Sequence, residues 1–134
     1  MSAAPGQMRL EVLTPTALVV DEPIVKLVAD GPDGLFALLP RHIDMAAALV
    51  PGLLAFVTVG GEERFLGIDE GVLVKRGAAV RISVLDAIAS ADLASLRAEV
   101  ARRFLGLDEQ ERAARTALAR LEAGAIRHLL EIGR

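Results

Sequence analysis

Residues 80–104, VRISVLDAIASADLASLRAEVARRF, contain the change of period that decides the fold. Val80, Ile82 and Val84 alternate with Arg81 and Ser83, the two-residue period of a strand with one buried face. Beyond Asp86 the spacing becomes three and four. Leu93, Leu96, Val100 and Phe104 fall on one side of a helix expected from about residue 90 to 105. A strand-built part therefore ends here with Val80–Leu85 as its last strand, and a helical part begins.

Working back toward the N-terminus, all six Pro and nine of the twelve Gly lie within residues 1–77. Breakers such as Thr14-Pro15, Pro23, Gly31-Pro32-Asp33-Gly34, Pro40, Pro51-Gly52, Gly60-Gly61 and Lys75-Arg76-Gly77 recur at the roughly 8- to 12-residue spacing of a sandwich or barrel. Between them, Met8, Leu10 and Val12 alternate with Arg9 and Glu11, and Val25, Leu27 and Ala29 alternate with Lys26 and Val28. Gly60-Gly61 reads as a two-residue hairpin loop, which requires the positive φ that glycine adopts freely. The longest apolar run, residues 45–59, is shorter than the ~20 residues of a spanning helix and is cut by Pro51-Gly52, so it reads as two strands.

Working forward, Gly106 is placed to end the first helix in a left-handed conformation. Asp108 with Glu111 three residues on can cap the start of a second helix. Its expected apolar stripe is Leu118, Leu121, Ala125, Leu129 and Ile132. Charge pairs Glu99–Arg103, Glu111–Arg115 and Arg127–Glu131 support the solvated faces. The fold class is thus α+β: an N-terminal antiparallel β-sandwich over residues 1–87, then an antiparallel two-helix hairpin over residues 88–134. A hairpin of about 45 residues buries too little to stand alone, so it must dock on the sandwich or on a partner.

Composition narrows the function. The chain of 134 residues is 53% apolar but has no Cys, Trp or Tyr and only four Phe, so its core is aliphatic. Without cysteine there is neither a disulfide framework nor a thiolate site. With 15 basic against 18 acidic side chains, a net charge of −3 and 3% aromatics, it lacks the basic surface and stacking rings that nucleic acids require. The first residues show no basic-then-apolar leader pattern, so a cytoplasmic protein is expected. No phosphate-binding loop, zinc-protease motif or nucleophile elbow occurs. His42 with Asp44 is the one pair suited to acid–base or metal chemistry, and a catalytic reading of it requires a concave pocket around both. Solvated loop positions are the plainer reading. No catalytic residue, metal site or cofactor is expected.

One further segment is more specific. GPDGLFALLPRHIDM at 31–45 is followed by ALVPGLL at 48–54, GVLVK at 71–75, VRISVL at 80–85 and ASADL at 89–93. In order and spacing these resemble the epsilon subunit of bacterial F-type ATP synthases, over residues 8 to about 132. The resemblance implies a non-catalytic rotor subunit whose sandwich binds the gamma subunit and stands on the c-ring. It would be a peripheral part of the enzyme on the cytoplasmic face of the inner (plasma) membrane, with no membrane insertion of its own. Gly34, Leu35, Arg41 and His42 match the ring-facing edge, and Leu35 stands where the family often has a polar residue.

The resemblance also implies that the hairpin can extend toward the alpha and beta subunits and oppose ATP hydrolysis, with Arg112, Arg115, Arg120 and Arg127 as the basic candidates. Read without it, these arginines are solvated helix faces balanced by Asp108, Glu109, Glu111 and Glu122. Some members bind ATP through an (Ile/Leu)-Asp-x-x-Arg-Ala stretch. Here Leu93, Arg97 and Ala98 are kept while the acidic position is Ala94, so weak or no ATP binding is expected. The competing reading is a free-standing β-sandwich adaptor that dimerises through its hairpin.

Overall fold

In a computed structural model, residues 5–89, 93–105 and 124–132 are described. Nine strands form in chain order: β1 (Met8–Leu13), β2 (Leu18–Gly31), β3 (Gly34–Leu38), β4 (Met45–Leu49), β5 (Gly52–Thr58), β6 (Glu63–Ile68), β7 (Gly71–Arg76), β8 (Ala79–Val84) and β9 (Ala87–Ala89). They are followed by α1 (Leu93–Val100), which continues into a π-helical turn, Ala101–Leu105. A last helical stretch, α2, spans residues 124–131. The apolar run at 45–59 is indeed two strands separated at Pro51, and no described helix is long and apolar enough to cross a membrane.

The strand order is β4-β7-β8-β1-β2-β5-β6-β9, with β3 also on β2. The 14-residue β2 belongs to both layers: its first half pairs with β1, and its second half with β5 and β3. A register shift between Ile24 and Lys26 marks the corner, where an inserted residue bends a strand. One pairing departs from the antiparallel expectation, since β1 and β8 run parallel. Between the layers lies an aliphatic core that includes Met8, Leu10, Val12, Leu27, Leu54, Ile68, Leu73 and Ile82.

A second core lies outside the sandwich. Leu93, Leu96 and Val100 of α1 and Ile126 and Leu130 of α2 pack on Val28, Leu53, Ala55 and Val57. Each of these Leu, Ile and Val side chains, fully buried, contributes ~1.5–3 kcal/mol. All seven residues of β5 are buried as a result: Leu54 and Phe56 face the inner core while Leu53, Ala55 and Val57 face the helices.

Four local expectations change. The hairpin after β5 has a four-residue loop, because Gly61 N–H donates to the Thr58 carbonyl (2.9 Å) and Glu62 N–H to its hydroxyl (3.1 Å); of the two glycines only Gly61 has positive φ. Val80–Leu85 is not the last strand, since Ala87–Ala89 adds to β6 and straddles the expected division at 87/88. The stripe of the second helix is turned by one residue: Ile126 and Leu130 are buried while Ala125 and Ile132 are exposed. Leu118 and Leu121 lie outside the described residues. Finally, Glu99 pairs with Arg102, because Asp86 captures Arg103 at 2.8 Å.

Candidate functional site

The seam between sheet and helices concentrates the buried chemistry. Lys26 leaves β2 at the corner with only 4% of its surface exposed. Its Nζ donates to the carbonyls of Leu129 and Ile132, at the C-terminal end of α2. The last carbonyls of a helix have no intrahelical donor and carry the negative end of its dipole, so an ammonium there is favourable. In the two-residue alternation Lys26 shares a face with Val28, opposite Leu27 and Ala29. Its burial, and that of Val28, follows from the helices covering the outer face of β2.

Four residues beyond Lys26 and one before the end of β2, Asp30 meets Arg97 of α1 at 3.8 Å, both side chains mostly buried. Burial pushes the Asp30 carboxyl above the ordinary aspartate value of 3.8, and the Arg97 guanidinium beside it pulls partly back. The carboxylate lies over Gly52, where a Cβ would stand 2.8 Å from Asp30 Oδ2, so a larger residue there would have to displace the Asp30 side chain. Farther along, the Arg127 guanidinium lies 5.9 Å from the centroid of the Phe65 ring on β6.

The positions singled out from sequence fall in three places. Leu93 is buried against the sheet, Arg97 is engaged with Asp30, and Ala98 is exposed beside a shallow groove that also takes in Ile88, Ser95 and Glu99. Ala94, standing at the acidic position, is exposed. Gly34 (φ 112°) forms the β2–β3 turn, and Leu35 beside it is half-buried against the helix-side core. Arg41 and His42 occupy the loop at the other end of β3, separated from Gly34 by a strand of about 13 Å at ~3.3 Å per residue. The structure therefore does not bring these four together. Arg127 is exposed on α2, whereas Arg112, Arg115 and Arg120 lie outside the described residues.

The 39–44 loop is an exposed tip. Arg41 and His42 are exposed, and Ile43 stands 77% open. His42 Nδ1 lies 2.9 Å from the Ile43 carbonyl, and Asp44 Oδ1 accepts from the Gly77 N–H at 2.7 Å. Neither residue lines the Ile88–Glu99 groove or a second one walled by Leu13, Leu49, Val72 and Val84; both stand on the exposed tip, where a catalytic His42–Asp44 pair would require a concave pocket. Among the described residues no three His, Asp or Glu side chains converge as metal ligands. The seam residues Lys26 and Asp30 and the buried Lys75 of β7 were not anticipated, although Lys75 shares the parity of Leu73 within its strand.

With this geometry in hand, residues 7–90 match the family described as ATP synthase, Delta/Epsilon chain, beta-sandwich domain. The chain is 35% identical over 125 residues to ATP synthase epsilon chain 2 of Cereibacter sphaeroides, covering 92% of this chain and 86% of that one. It is 34% identical, also over 125 residues, to ATP synthase epsilon chain 2 of Paraburkholderia xenovorans, covering 92% and 90%. Among solved structures, a chain of the Euglena gracilis mitochondrial ATP synthase (OSCP/F1/c-ring in rotational state 1) superposes with a TM-score of 0.62. That match, at 22% identity, covers 92% of this chain and 84% of the other and bears on the fold alone.

Proposed function

The chain belongs to the ATP synthase delta/epsilon family, and from that premise we propose that it works as a central-stalk (rotor) subunit of F-type ATP synthase, without catalysis of its own. The observation that carries this reading is the whole-length likeness to epsilon chains, which spans sandwich and helices alike. The adaptor that dimerises through its hairpin is not favoured by it.

In this role the sandwich binds the gamma subunit and stands on the c-ring at the cytoplasmic face of the inner (plasma) membrane, passing ion-driven rotation to the catalytic head. The exposed Arg41–His42 tip and the Gly34 turn offer two separate contact points toward the ring, with Leu35 turned largely inward. The hairpin, whose described helices α1 and α2 pack on the sheet, would oppose hydrolysis only when released toward the alpha and beta subunits. Arg127 would then trade its contact with Phe65 for one in the head, together with Arg112, Arg115 and Arg120.

Little or no ATP is bound at the first helix, because no carboxylate stands at Ala94 and Arg97 is already committed to Asp30. Micromolar affinity in calorimetry would overturn this. The role itself is tested by reconstitution with gamma, alpha and beta subunits, measuring ATP hydrolysis with the full chain and with a version ending at Ala89. Both versions are expected to bind gamma, and the full chain to hydrolyse more slowly. Loss of gamma binding by the full chain would sink the stalk assignment, and equal hydrolysis the inhibitory one.

A further inference from the structure

We propose that Lys75 is a positioning residue for the stalk contact made by the 39–44 loop: a buried ammonium that fixes the loop's backbone from inside while touching no partner. On β7 the side chains alternate, with Val72 and Val74 outward and Leu73 and Lys75 inward. Lys75 is 2% exposed and among the largest fully buried side chains. A buried charge is costly unless its hydrogen-bonding capacity is met, and an ammonium has three donors. Here all three find backbone carbonyls: Gly77 at 2.6 Å, His42 at 2.7 Å and Pro40 at 3.4 Å.

The pinning is reciprocal. Gly77 in the β7–β8 turn presents its carbonyl to Lys75 and its N–H to Asp44, a double orientation supported by its left-handed φ of 59°. The His42 N–H closes the loop on the Leu39 carbonyl at 2.9 Å. The backbone of the loop is thereby held at both ends and in the middle, and Arg41, His42 and Ile43 are projected in one fixed arrangement. Surface that is ordered before binding loses less freedom on docking, so such a loop binds more tightly than a loose one of identical side chains.

This inference rests on reading the loop as a ring contact, and the test separates the two. In the full-length chain, Lys75→Met keeps the stem's bulk and removes the ammonium. Binding is measured to the detergent-purified c-ring of the same enzyme and to gamma, beside an Ile43→Asp variant that alters the tip directly. Hydrogen exchange at the His42 and Gly77 amides reports the loop. The expected result is a tenfold or greater loss of ring affinity in Lys75→Met, gamma affinity within twofold, and exchange at both amides at least tenfold faster.

Ring affinity unchanged in Lys75→Met but weakened in Ile43→Asp overturns the positioning role and leaves the contact standing. If Ile43→Asp weakens gamma binding instead, the ring reading fails, and Lys75 is judged by whether its variant weakens gamma equally. If Ile43→Asp affects neither partner, contact and positioning role fall together. Should Lys75→Met not fold, Asp44→Ala loosens the same staple from the surface. It is expected to cost about fivefold in affinity for the partner that Ile43→Asp identifies, and wild-type affinity overturns the proposal.

Discussion

Replacing Lys26 by Met should release the second helix from the sandwich without unfolding the sandwich. Met preserves most of the buried stem, so the perturbation is loss of the ammonium and its bonds to the Leu129 and Ile132 carbonyls. A hydrogen bond to a charged group is worth ~1.5–3 kcal/mol net, and a cation at a partly buried helix C-terminus up to ~2 kcal/mol. The two descriptions overlap, because the dipole's negative end is those carbonyls. Glu131 and Ile132 are exposed, so water can reach the freed acceptors, and the loss stays near one such bond: about 1.5–3 kcal/mol. At ~1.4 kcal/mol per decade, the undocked fraction rises roughly 10- to 150-fold. Native-state hydrogen exchange reads this directly: the Leu129 and Leu130 amides should lose protection by that factor while those of β5 keep theirs. Protection of α2 within twofold of wild type would refute the capping role. An equal loss in β5 would show that sheet and helix open as one unit.

Two glycines separate the layers by a second route. Alanine at Gly67 would place its Cβ 2.5 Å from Val100 Cγ2 and 3.2 Å from Leu96 Cδ1, both side-chain tips on α1. The helix can lift, so a cost of about 1–3 kcal/mol confined to α1 is expected, seen as faster exchange there with a small fall in Tm. Alanine at Gly71 would meet the Ser83 carbonyl oxygen at 2.1 Å and Val84 Cα at 2.9 Å. That is backbone within the β7–β8 ladder, so more than about 3 kcal/mol should be lost in urea unfolding, and a milder effect than at Gly67 would contradict the packing described. Asp30 supplies a pH test. Its folded pKa lies above 3.8, so the folded chain holds that proton more tightly than the unfolded one. Its contribution to stability is present below 3.8 and is lost as pH rises through the folded value. Relative to Asp30→Asn, the wild type should lose stability across that window, and Arg97→Met should move the Asp30 carboxyl titration further up. A downward movement would contradict the pairing.

The switch of period near Asp86, the spacing of the breakers and the apolar faces of β1, β7 and β8 were all legible, because strand and helix geometry impose local repeats on the chain. β9 was not. Ala87, Ile88 and Ala89 carry no alternation, and what makes them a strand is the free edge of β6. The loop residues Arg41 and His42 and the seam residue Arg97 could be singled out by resemblance, but their surroundings could not. Nothing near Arg97 in sequence announces Asp30 as its partner, since the two meet only because α1 folds back over the sheet.

By itself the sequence determined the alternating faces of β1, β7 and β8, the change from strand to helix beyond Asp86, that the core is aliphatic, and which family the pattern resembles. Only the tertiary structure decided which faces are covered. Because the helices return to the second layer, β5 is buried on both sides, Val28 becomes core, and α2 turns Ile126 and Leu130 inward in place of Ala125 and Ile132. The two buried lysines belong to the same class of decision. An ammonium is placed in water by default, and only chain brought from elsewhere can offer it enough carbonyls to stay inside: Leu129 and Ile132 for Lys26, and chiefly the 39–44 loop for Lys75. Periodicity is a property of neighbours along the chain, whereas burial depends on partners distant from it.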